Sequence, residues 1–223
     1  MRISVAIDGP AAAGKSTVAK EVARRLGYTY IDTGAMYRAF TYYVLKQGVD
    51  PQIETDCNKL IPEVTIELKP GGTVLCNDED VTKQIREPYV SANVSYIASY
   101  KQIRLALVEQ QRKLAEVACV VMDGRDIGTY VLPNADIKIF QIASVETRAV
   151  RRYEENLSKG IDCTLESVEE DLRKRDYIDS HRDFAPLKPA PDSILIDTSF
   201  MSVEEVVTRI IDIIEKKLVG IQK

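Results

Sequence analysis

Tryptophan is absent from the 223-residue chain, histidine occurs once and cysteine occurs four times. The cysteines, at positions 57, 76, 119 and 163, form no CxxC pair, which argues against a zinc site and a disulfide scaffold. We expect them to be reduced and to serve in packing. With a single histidine, His181, neither a His-rich metal centre nor a Ser/His/Asp hydrolase is favoured. His181 is predicted to lie at the surface or in a loop.

The chain also lacks an excess of positive charge and long apolar runs. Its 30 basic residues are outnumbered by 34 acidic residues, giving a net charge of -4, whereas proteins that coat nucleic acids or membranes usually carry a basic face. Apolar runs such as residues 119–122 are far shorter than the ~20 residues needed to span a bilayer, and no signal peptide is recognisable. These absences predict a cytoplasmic protein that binds neither nucleic acid nor membrane.

Short apolar segments alternate with helical patterns along most of the chain. Strands are predicted at residues 2–9, 28–32, 118–126, 137–142 and 193–199. Helices are predicted at residues 15–26, 33–48, 89–99, 101–117, 145–157, 165–179 and 202–218. Ser202 and Glu205 form a capping-box signature for the last helix. The alternation predicts an α/β fold in which a parallel five-stranded sheet is covered by helices on both faces.

Two segments depart from this regular alternation. Within residues 57–93, two β-type runs flank the turn sequence KPGG, which predicts a hairpin in a small inserted lobe. The core would then comprise residues 1–56 and 94–223. Further along, two charged helices lie on either side of Gly160, and we expect them to form a mobile helical lid at about residues 148–180.

The strongest motif is GPAAAGKS, residues 9–16, which matches GxxxxGK[ST] and lies between a predicted strand and a predicted helix. Small residues there allow backbone N–H groups to converge on phosphate oxygens, and the helix N-terminus adds positive potential. Lys15 would neutralise the β- and γ-phosphates, and the Ser16 hydroxyl would bind magnesium. The alternative is an ordinary glycine-rich turn, in which Lys15 and Ser16 would have no role.

A second candidate site follows the second predicted strand. Ligands bind beyond the carboxyl ends of strands in open α/β sheets, so Thr33 and Arg38 are placed to hold an acceptor phosphate. The alternative is a plain helix cap by Asp32 or Thr33, with Arg38 solvated. The residues of this segment favour neither interpretation over the other.

Asp123, Arg125 and Asp126 form a third candidate cluster, directly after the apolar run CVVM. In a chain with a P-loop, carboxylates at a strand end suggest support for a magnesium ion or for a polar substrate. The alternative is a turn stabilised by aspartate side chains, because Asp-Gly is a common turn pair.

Two charged helices carry the remaining candidates. Arg148 lies on one helix face with Arg151 and Arg152, where a closing lid would bring positive charge to a transferred phosphoryl group. A solvated face paired with Glu154 and Glu155 is the alternative. On the next helix, Arg175 and Asp179, near Arg182, would either share the hydroxyls of one ligand or form an i,i+4 ion pair.

Taken together, the segments IDGPAAAGKST, IDTGAMYR, VSYIASYKQIRLAL, MDGRDIGT and KRDYIDSHRDFAPL resemble bacterial-type cytidylate kinases in order and spacing. The resemblance covers nearly the whole chain. It implies the P-loop NTPase fold of a monomeric nucleoside monophosphate kinase, with an inserted lobe that binds CMP and a helical lid. It further implies that ATP with Mg²⁺ phosphorylates CMP or dCMP to give ADP and CDP or dCDP.

The resemblance also implies roles for individual residues. Lys15, Arg125, Arg148 and Arg152 would be catalytic, and Ser16 would bind magnesium. The ATP phosphates would be bound by Gly9, Pro10, Ala11, Ala12, Ala13, Gly14, Lys15, Ser16 and Thr17. Around CMP would lie Ser95, Arg104, Asp126 and Arg182 at the cytosine, Arg175 and Asp179 at the sugar, Arg38 and Arg125 nearer the phosphate, and Thr33.

Two other functions stay open at this point. A related P-loop kinase acting on UMP or shikimate would share the donor site, and a nucleotide-dependent switch would hydrolyse ATP or GTP slowly and signal through ordered loops. The chain lacks the guanine-reading motif NKxD, and a switch leaves the clustered arginines without a role. Cytosine presents an amino donor beside acceptor atoms, and a combination of acidic and guanidinium groups can recognise this pattern. Uracil reverses part of the pattern.

Overall fold

In the computed structural model, residues 2–221 are described, with side chains for residues 2–218. Within this range the strands are β1 (Ser4–Asp8), β2 (Thr29–Asp32), β3 (Ile66–Leu68), β4 (Val74–Cys76), β5 (Glu79–Asp80), β6 (Val120–Gly124), β7 (Ile137–Ile142) and β8 (Ile194–Asp197). Five of them form one sheet in the order β2-β6-β1-β7-β8, and every neighbouring pair is parallel. The predicted parallel five-stranded sheet is confirmed.

The helices connect these strands much as the sequence predicts. They are α1 (Lys15–Leu26), α2 (Thr33–Lys46), α3 (Glu54–Lys59), α4 (Pro88–Ile97), α5 (Lys101–Ala115), α6 (Val145–Ser158), α7 (Leu165–His181) and α8 (Val203–Ile221). The short α3 was not predicted. The capping box of α8 is present, since the Ser202 and Glu205 side chains each bond to the other's backbone N–H. In residues 2–221, no helix is long and apolar enough to cross a bilayer.

Apolar side chains on both faces of the sheet build the core. Because successive strand residues point to opposite faces, Val5 and Ile7 pack toward α1 and α8. Ala6, with Met122 of β6, packs on the other face against Val108 of α5. This two-sided burial explains why these strands read as continuous apolar runs rather than alternating ones.

The inserted segment carries a second, smaller sheet. Strands β3 and β4 pair in antiparallel register, with Ile66 opposite Cys76, which confirms the predicted hairpin. The third strand, β5, was not predicted and adds to the edge of β4. Apolar residues of this segment, including Ile66 and Ile85, share a hydrophobic cluster with Phe40 of α2. The lobe is therefore packed directly onto the helix that follows β2.

Helices α6 and α7 pack on each other above the P-loop. Ala149 of α6 and Leu172 of α7 form a small apolar cluster with Ala11. The predicted charged helices are thus confirmed as a helical pair seated beside the phosphate-binding loop, joined through the glycine turn at Gly160, which has a φ of 72°.

Gly9 directly follows β1, and its backbone lies close to the backbone of Gln141 in β7. A Cβ atom at this position would stand 1.9 Å from the backbone oxygen of Gln141, and the φ of Gly9 is +149°, which side-chain-bearing residues rarely adopt. Both sterics and backbone conformation therefore require glycine here.

We expect Gly9→Ala to lower the free energy of unfolding by on the order of 3 kcal/mol, because the backbones of residue 9 and of β7 must move apart to accept the methyl group. Gly27→Ala is the matched control: Gly27 also has a positive φ, 68°, but a Cβ atom added there would meet no neighbouring atom within 4 Å. That variant is expected to cost only about 1 kcal/mol. Chemical denaturation of the three proteins measures the difference, and equal losses would contradict the steric argument.

Candidate functional site

A cavity of about 590 Å³ opens at the carboxyl edge of the sheet, between the P-loop, helices α6 and α7 of the predicted lid, and residues 57–93 of the predicted inserted lobe. Many of its lining residues are charged. The basic ones are Lys15, Arg38, Arg86, Arg104, Arg125, Arg151, Arg152, Lys159, Arg175 and Arg182. The acidic ones are Asp32, Asp123, Asp126, Glu155 and Asp179. A chain with a net charge of -4 therefore lines its cavity with twice as many cations as anions, which favours a polyanionic ligand.

The P-loop forms one end of this cavity. Gly14 has a φ of 87° and leads directly into α1, so that the N-terminus of the helix faces the cavity. Lys15 is buried, and its ammonium group donates to the backbone oxygen of Pro10 at 2.6 Å. Burial, and then the charge of Arg125, hold the pKa of Lys15 well below its usual range. Of the predicted phosphate-binding residues, those from position 12 to 17 line the cavity, whereas Gly9, Pro10 and Ala11 do not.

Asp123 lies beside the P-loop at the end of β6. Its carboxylate accepts from the Ser16 hydroxyl at 2.8 Å and from the Tyr30 phenol at 2.9 Å. Burial, and then the like charge of Asp32, raise the pKa of Asp123 to about 6. A buried carboxylate beside a second carboxylate and a hydroxyl is an oxygen-rich site that a cation would stabilise.

Asp8, at the end of β1, was not singled out from the sequence. Its carboxylate oxygens accept from the backbone N–H groups of Ile127 and Gly128 at 2.8 and 2.7 Å. Burial raises the pKa of Asp8 to about 7 even though these two bonds favour the charged form. Asp8 thereby fastens the turn of π-helix at Ile127–Val131, and with it the adjacent residues 125 and 126, to the end of β1.

Three arginines converge in the middle of the cavity. Arg38 pairs with Asp32 at 3.1 Å and is therefore not the solvated residue of the alternative interpretation, although Asp32 does cap α2 through the Ala35 N–H. Arg125 donates to Asp179 at 2.9 Å. Arg175 has a buried Nε without a hydrogen-bond partner among the described residues. Burial, and then Arg125, lower the pKa of Arg175 to about 10, so a negative group placed here would stabilise its charged form.

Asp179 does not form the alternative i,i+4 ion pair with Arg175, because its carboxylate pairs with Arg125 on the neighbouring loop. Burial opposes the charged form of Asp179, but the three surrounding arginines outweigh it and hold its pKa below the usual range. The Thr33 side chain also has a partner within the protein: its hydroxyl donates to the backbone oxygen of Asp123 at 2.7 Å. Both residues still line the cavity.

A buried charge network closes the far end of the cavity. Asp126 accepts from Arg104 at one carboxylate oxygen and from Arg182 at the other, the latter at 3.1 Å. Both guanidinium groups also donate to the backbone oxygen of Ala98. Ser95, from α4, lines the cavity beside them and is 4% exposed. The arrangement offers hydrogen-bond donors and acceptors of opposite charge to a flat polar ligand.

The lid arginines are divided between two environments. Arg148 is 3% exposed and does not line the cavity: it donates to the backbone oxygens of Ala143 and Ala11 and pairs with Asp176 at 2.7 Å. The helix face carrying Arg148 is therefore turned toward the P-loop and α7 rather than toward the cavity. Arg152 does line the cavity and pairs with Glu155.

Several lining residues escaped the sequence analysis. Tyr37 stands one helical turn after Thr33, and this spacing was a signal that could have placed it at the same site. Arg86 of the inserted lobe and Lys159 of the lid reach the cavity only through the tertiary packing. So do Thr198, Met201, Ser202, Val203 and Val206, which follow β8 and border the P-loop end. His181 is exposed and stacks on Tyr177, as expected for a surface residue.

The family model and the curated relatives that match this chain all belong to one family. The family model described as cytidylate kinase matches residues 5–216. A cytidylate kinase of Geobacillus kaustophilus is 56% identical over 97% of this chain and 98% of its own length, and one of Anoxybacillus flavithermus is 53% identical over 98% and 99%. A solved gluconokinase from Sinorhizobium meliloti, covering 93% of this chain and 90% of its own, shares the fold with a TM-score of 0.50 at 13% identity.

Asp8 gives the site a pH-dependent stability that can be measured. A folded-state pKa of about 7, above the usual value, means that the stability contributed by protonated Asp8 is present in acid and lost as the pH rises through 7. We expect the free energy of unfolding of the wild type, relative to Asp8→Asn, to decline from pH 5 to pH 8. Glu87→Gln, at an exposed position, is the control. Parallel curves for wild type and Asp8→Asn would contradict the assignment.

Proposed function

Because the chain belongs to the cytidylate kinase family, we propose that it transfers the γ-phosphoryl group of ATP to CMP or dCMP, giving ADP and CDP or dCDP. One observation supports this most strongly: a P-loop and a buried Asp126–arginine network face each other across one cationic cavity. Two nucleotides with their phosphates meeting in the middle would satisfy both ends and the arginines between them.

The donor would lie along the P-loop. Its β- and γ-phosphates would accept from the backbone N–H groups of residues 12–17 and from Lys15, which would leave the Pro10 oxygen for the phosphate. The residues that follow β8, with Met201 and Val206 among them, supply an apolar border at this end, and we assign the adenosine part to it.

Magnesium fits the residues at the P-loop end. Mg²⁺ prefers oxygen ligands and is usually held by one or two protein groups together with substrate phosphates. The Ser16 hydroxyl and the Asp123 carboxylate, 2.8 Å apart, would hold it, and the cation would stabilise the charged form of Asp123 that burial and Asp32 disfavour. When bound, Mg²⁺ would neutralise charge on the β- and γ-phosphate oxygens.

The acceptor would occupy the opposite end. Arg38 and Arg125 would bind the phosphate of CMP, and Arg175 with Asp179 would lie at the sugar, close enough to the phosphate for its charge to stabilise the Arg175 guanidinium. Asp126 would accept from the cytosine amino group, while the Arg104 and Arg182 guanidinium groups would donate to its acceptor atoms. Uracil would place an acceptor opposite the Asp126 carboxylate, so the same groups would disfavour UMP.

The lid would complete the reaction site. Arg152 lines the cavity and is the lid residue we assign to the charge that develops on the transferred group. Arg148 would act by position instead, since its bonds to Ala11 and Asp176 tie the lid to the P-loop and to α7. All these groups come from one chain, which is consistent with a monomeric enzyme. We also propose that it works in the cytoplasm, where ATP and CMP are its substrates.

The alternatives are not favoured. A shikimate kinase would not need a buried carboxylate between two guanidinium groups to read a base, and relatives at 51–56% identity over nearly the whole chain carry the cytidylate kinase name. A nucleotide switch would leave Arg38, Arg125 and Arg175 without a ligand. CMP as acceptor accounts for both features.

The function is tested by measuring ADP and CDP together with CMP, dCMP, UMP, AMP and GMP as acceptors. We expect equal amounts of ADP and CDP with CMP, similar turnover with dCMP, and much weaker turnover with the other three. Lys15→Ala should lower kcat on the order of 10³-fold, because it removes the cation at the transferred phosphate. ADP formed without CDP would refute phosphoryl transfer to CMP.

Magnesium binding gives a separate prediction. Asp123→Asn removes the charge that orients Ser16, so the Mg²⁺ concentration for half-maximal activity should rise about 10- to 100-fold. Asp78→Asn, at an exposed turn of the inserted lobe, is the control and should leave the Mg²⁺ titration unchanged. An unchanged titration for Asp123→Asn would remove Asp123 from the magnesium site.

A further inference from the structure

Asp123, the carboxylate assigned to magnesium, has a hydrogen-bond donor at each of its two oxygens. The Ser16 hydroxyl donates to Oδ2 at 2.8 Å, and the Tyr30 phenol donates to Oδ1 at 2.9 Å. Ser16 belongs to the P-loop motif, whereas Tyr30 belongs to β2 and is not among the residues that line the cavity. The contact of Tyr30 with Asp123 is therefore explained neither by the P-loop motif nor by the cavity.

The strand register brings the Tyr30 phenol to this carboxylate. Tyr30 of β2 stands opposite Val121 of β6, two residues before Asp123. Because side chains alternate between the two faces of a sheet, all three point to the same face. The Tyr30 ring packs there against the apolar cluster that contains Val121 and Val18. Packing thus holds the ring, and its hydroxyl meets the carboxylate further along the neighbouring strand.

The Tyr30 bond restricts the orientation of the Asp123 carboxylate. The two oxygens of a carboxylate are equivalent, and rotation about the bond that carries them is only loosely restricted. With the phenol on Oδ1 and Ser16 on Oδ2, donors from two different elements fix the carboxylate plane. Asp123 is 4% exposed, so water has little access to replace a lost donor. Without the phenol, the bond from Ser16 would hold the group alone.

We propose that Tyr30 is a positioning residue of the magnesium site: its phenol holds the Asp123 carboxylate in the orientation in which Oδ2 and the Ser16 hydroxyl together bind the cation. The inference rests on the proposed function, which assigns magnesium to Asp123 and Ser16. Tyr30 touches neither the nucleotide nor the cation in this role and acts only through Asp123. Groups that hydrogen-bond a metal-binding side chain typically contribute roughly 10- to 100-fold to metal affinity.

The test is calorimetry with the imido analogue of ATP, which is not hydrolysed, once in excess Mg²⁺ and once in EDTA. The ratio of the two dissociation constants measures how strongly the protein and the cation stabilise each other in the complex. In Tyr30→Phe we expect the Kd with Mg²⁺ to rise roughly tenfold, because the carboxylate is no longer oriented. The Kd in EDTA should equal that of the wild type.

Two further variants separate positioning from a structural role. Once Asp123→Ala has removed the carboxylate, adding Tyr30→Phe should change neither Kd, because Tyr30 acts through Asp123. Tyr43→Phe is the matched control. It removes a phenol that donates to another carboxylate, Glu63, at 3.1 Å between α2 and the inserted lobe. Its two dissociation constants should be those of the wild type.

An unchanged ratio in Tyr30→Phe would overturn the proposal, and so would equal constants with and without Mg²⁺ in the wild type. Equal rises of both constants in Tyr30→Phe would show a merely structural role. A further loss on adding Tyr30→Phe to Asp123→Ala would contradict action through Asp123. The experiment contains no acceptor, so it is decided independently of CDP formation. A wild type that makes no CDP would overturn the proposed function instead, and the two failures are therefore distinguishable.

Discussion

The parallel register of β1, β6 and β2 decides where the charged groups of the cavity lie. Asp32 stands opposite Asp123, and Asp8 stands opposite Gly124, so three carboxylates from distant parts of the chain meet at one edge of the sheet. Asp8 then holds the turn that begins at residue 127, and Asp123 holds Ser16 of the P-loop. The P-loop and the segment of residues 125–131 are therefore positioned relative to each other by strand pairing.

The cavity at this edge of the sheet carries more positive charge than its own carboxylates neutralise. Asp126 and Asp179 each sit among arginines, yet Arg175 remains half-buried with a lowered pKa and an unpaired Nε. Positive groups held together in this way destabilise the ligand-free protein, and a phosphate placed among them relieves that repulsion. The same charges would stabilise the phosphoryl group in transfer, so substrate affinity and catalysis draw on one electrostatic feature.

Local pattern was sufficient for most of the fold and for one end of the site. The P-loop, the five strands and the long helices each have a signature within a few residues, and the structure has them where predicted. Contacts between distant segments had no such signature. Asp8 looked like the end of a strand, and the partner of Asp179 was left open between a ligand and Arg175. Arg148 was placed on an open helix face, although it is buried against Ala11 and Asp176. The partners of a buried charge are set by tertiary packing, which spacing along one helix does not encode.

The central claim is that one cavity holds donor and acceptor at the same time, with their phosphates among the shared arginines. A single compound in which adenosine and cytidine are joined through five phosphates tests this most directly by calorimetry. We predict binding of one molecule per chain, far tighter than CMP alone, and complete loss of both ATP and CMP binding in its presence. CMP that still bound with unchanged affinity to the saturated protein would contradict the account.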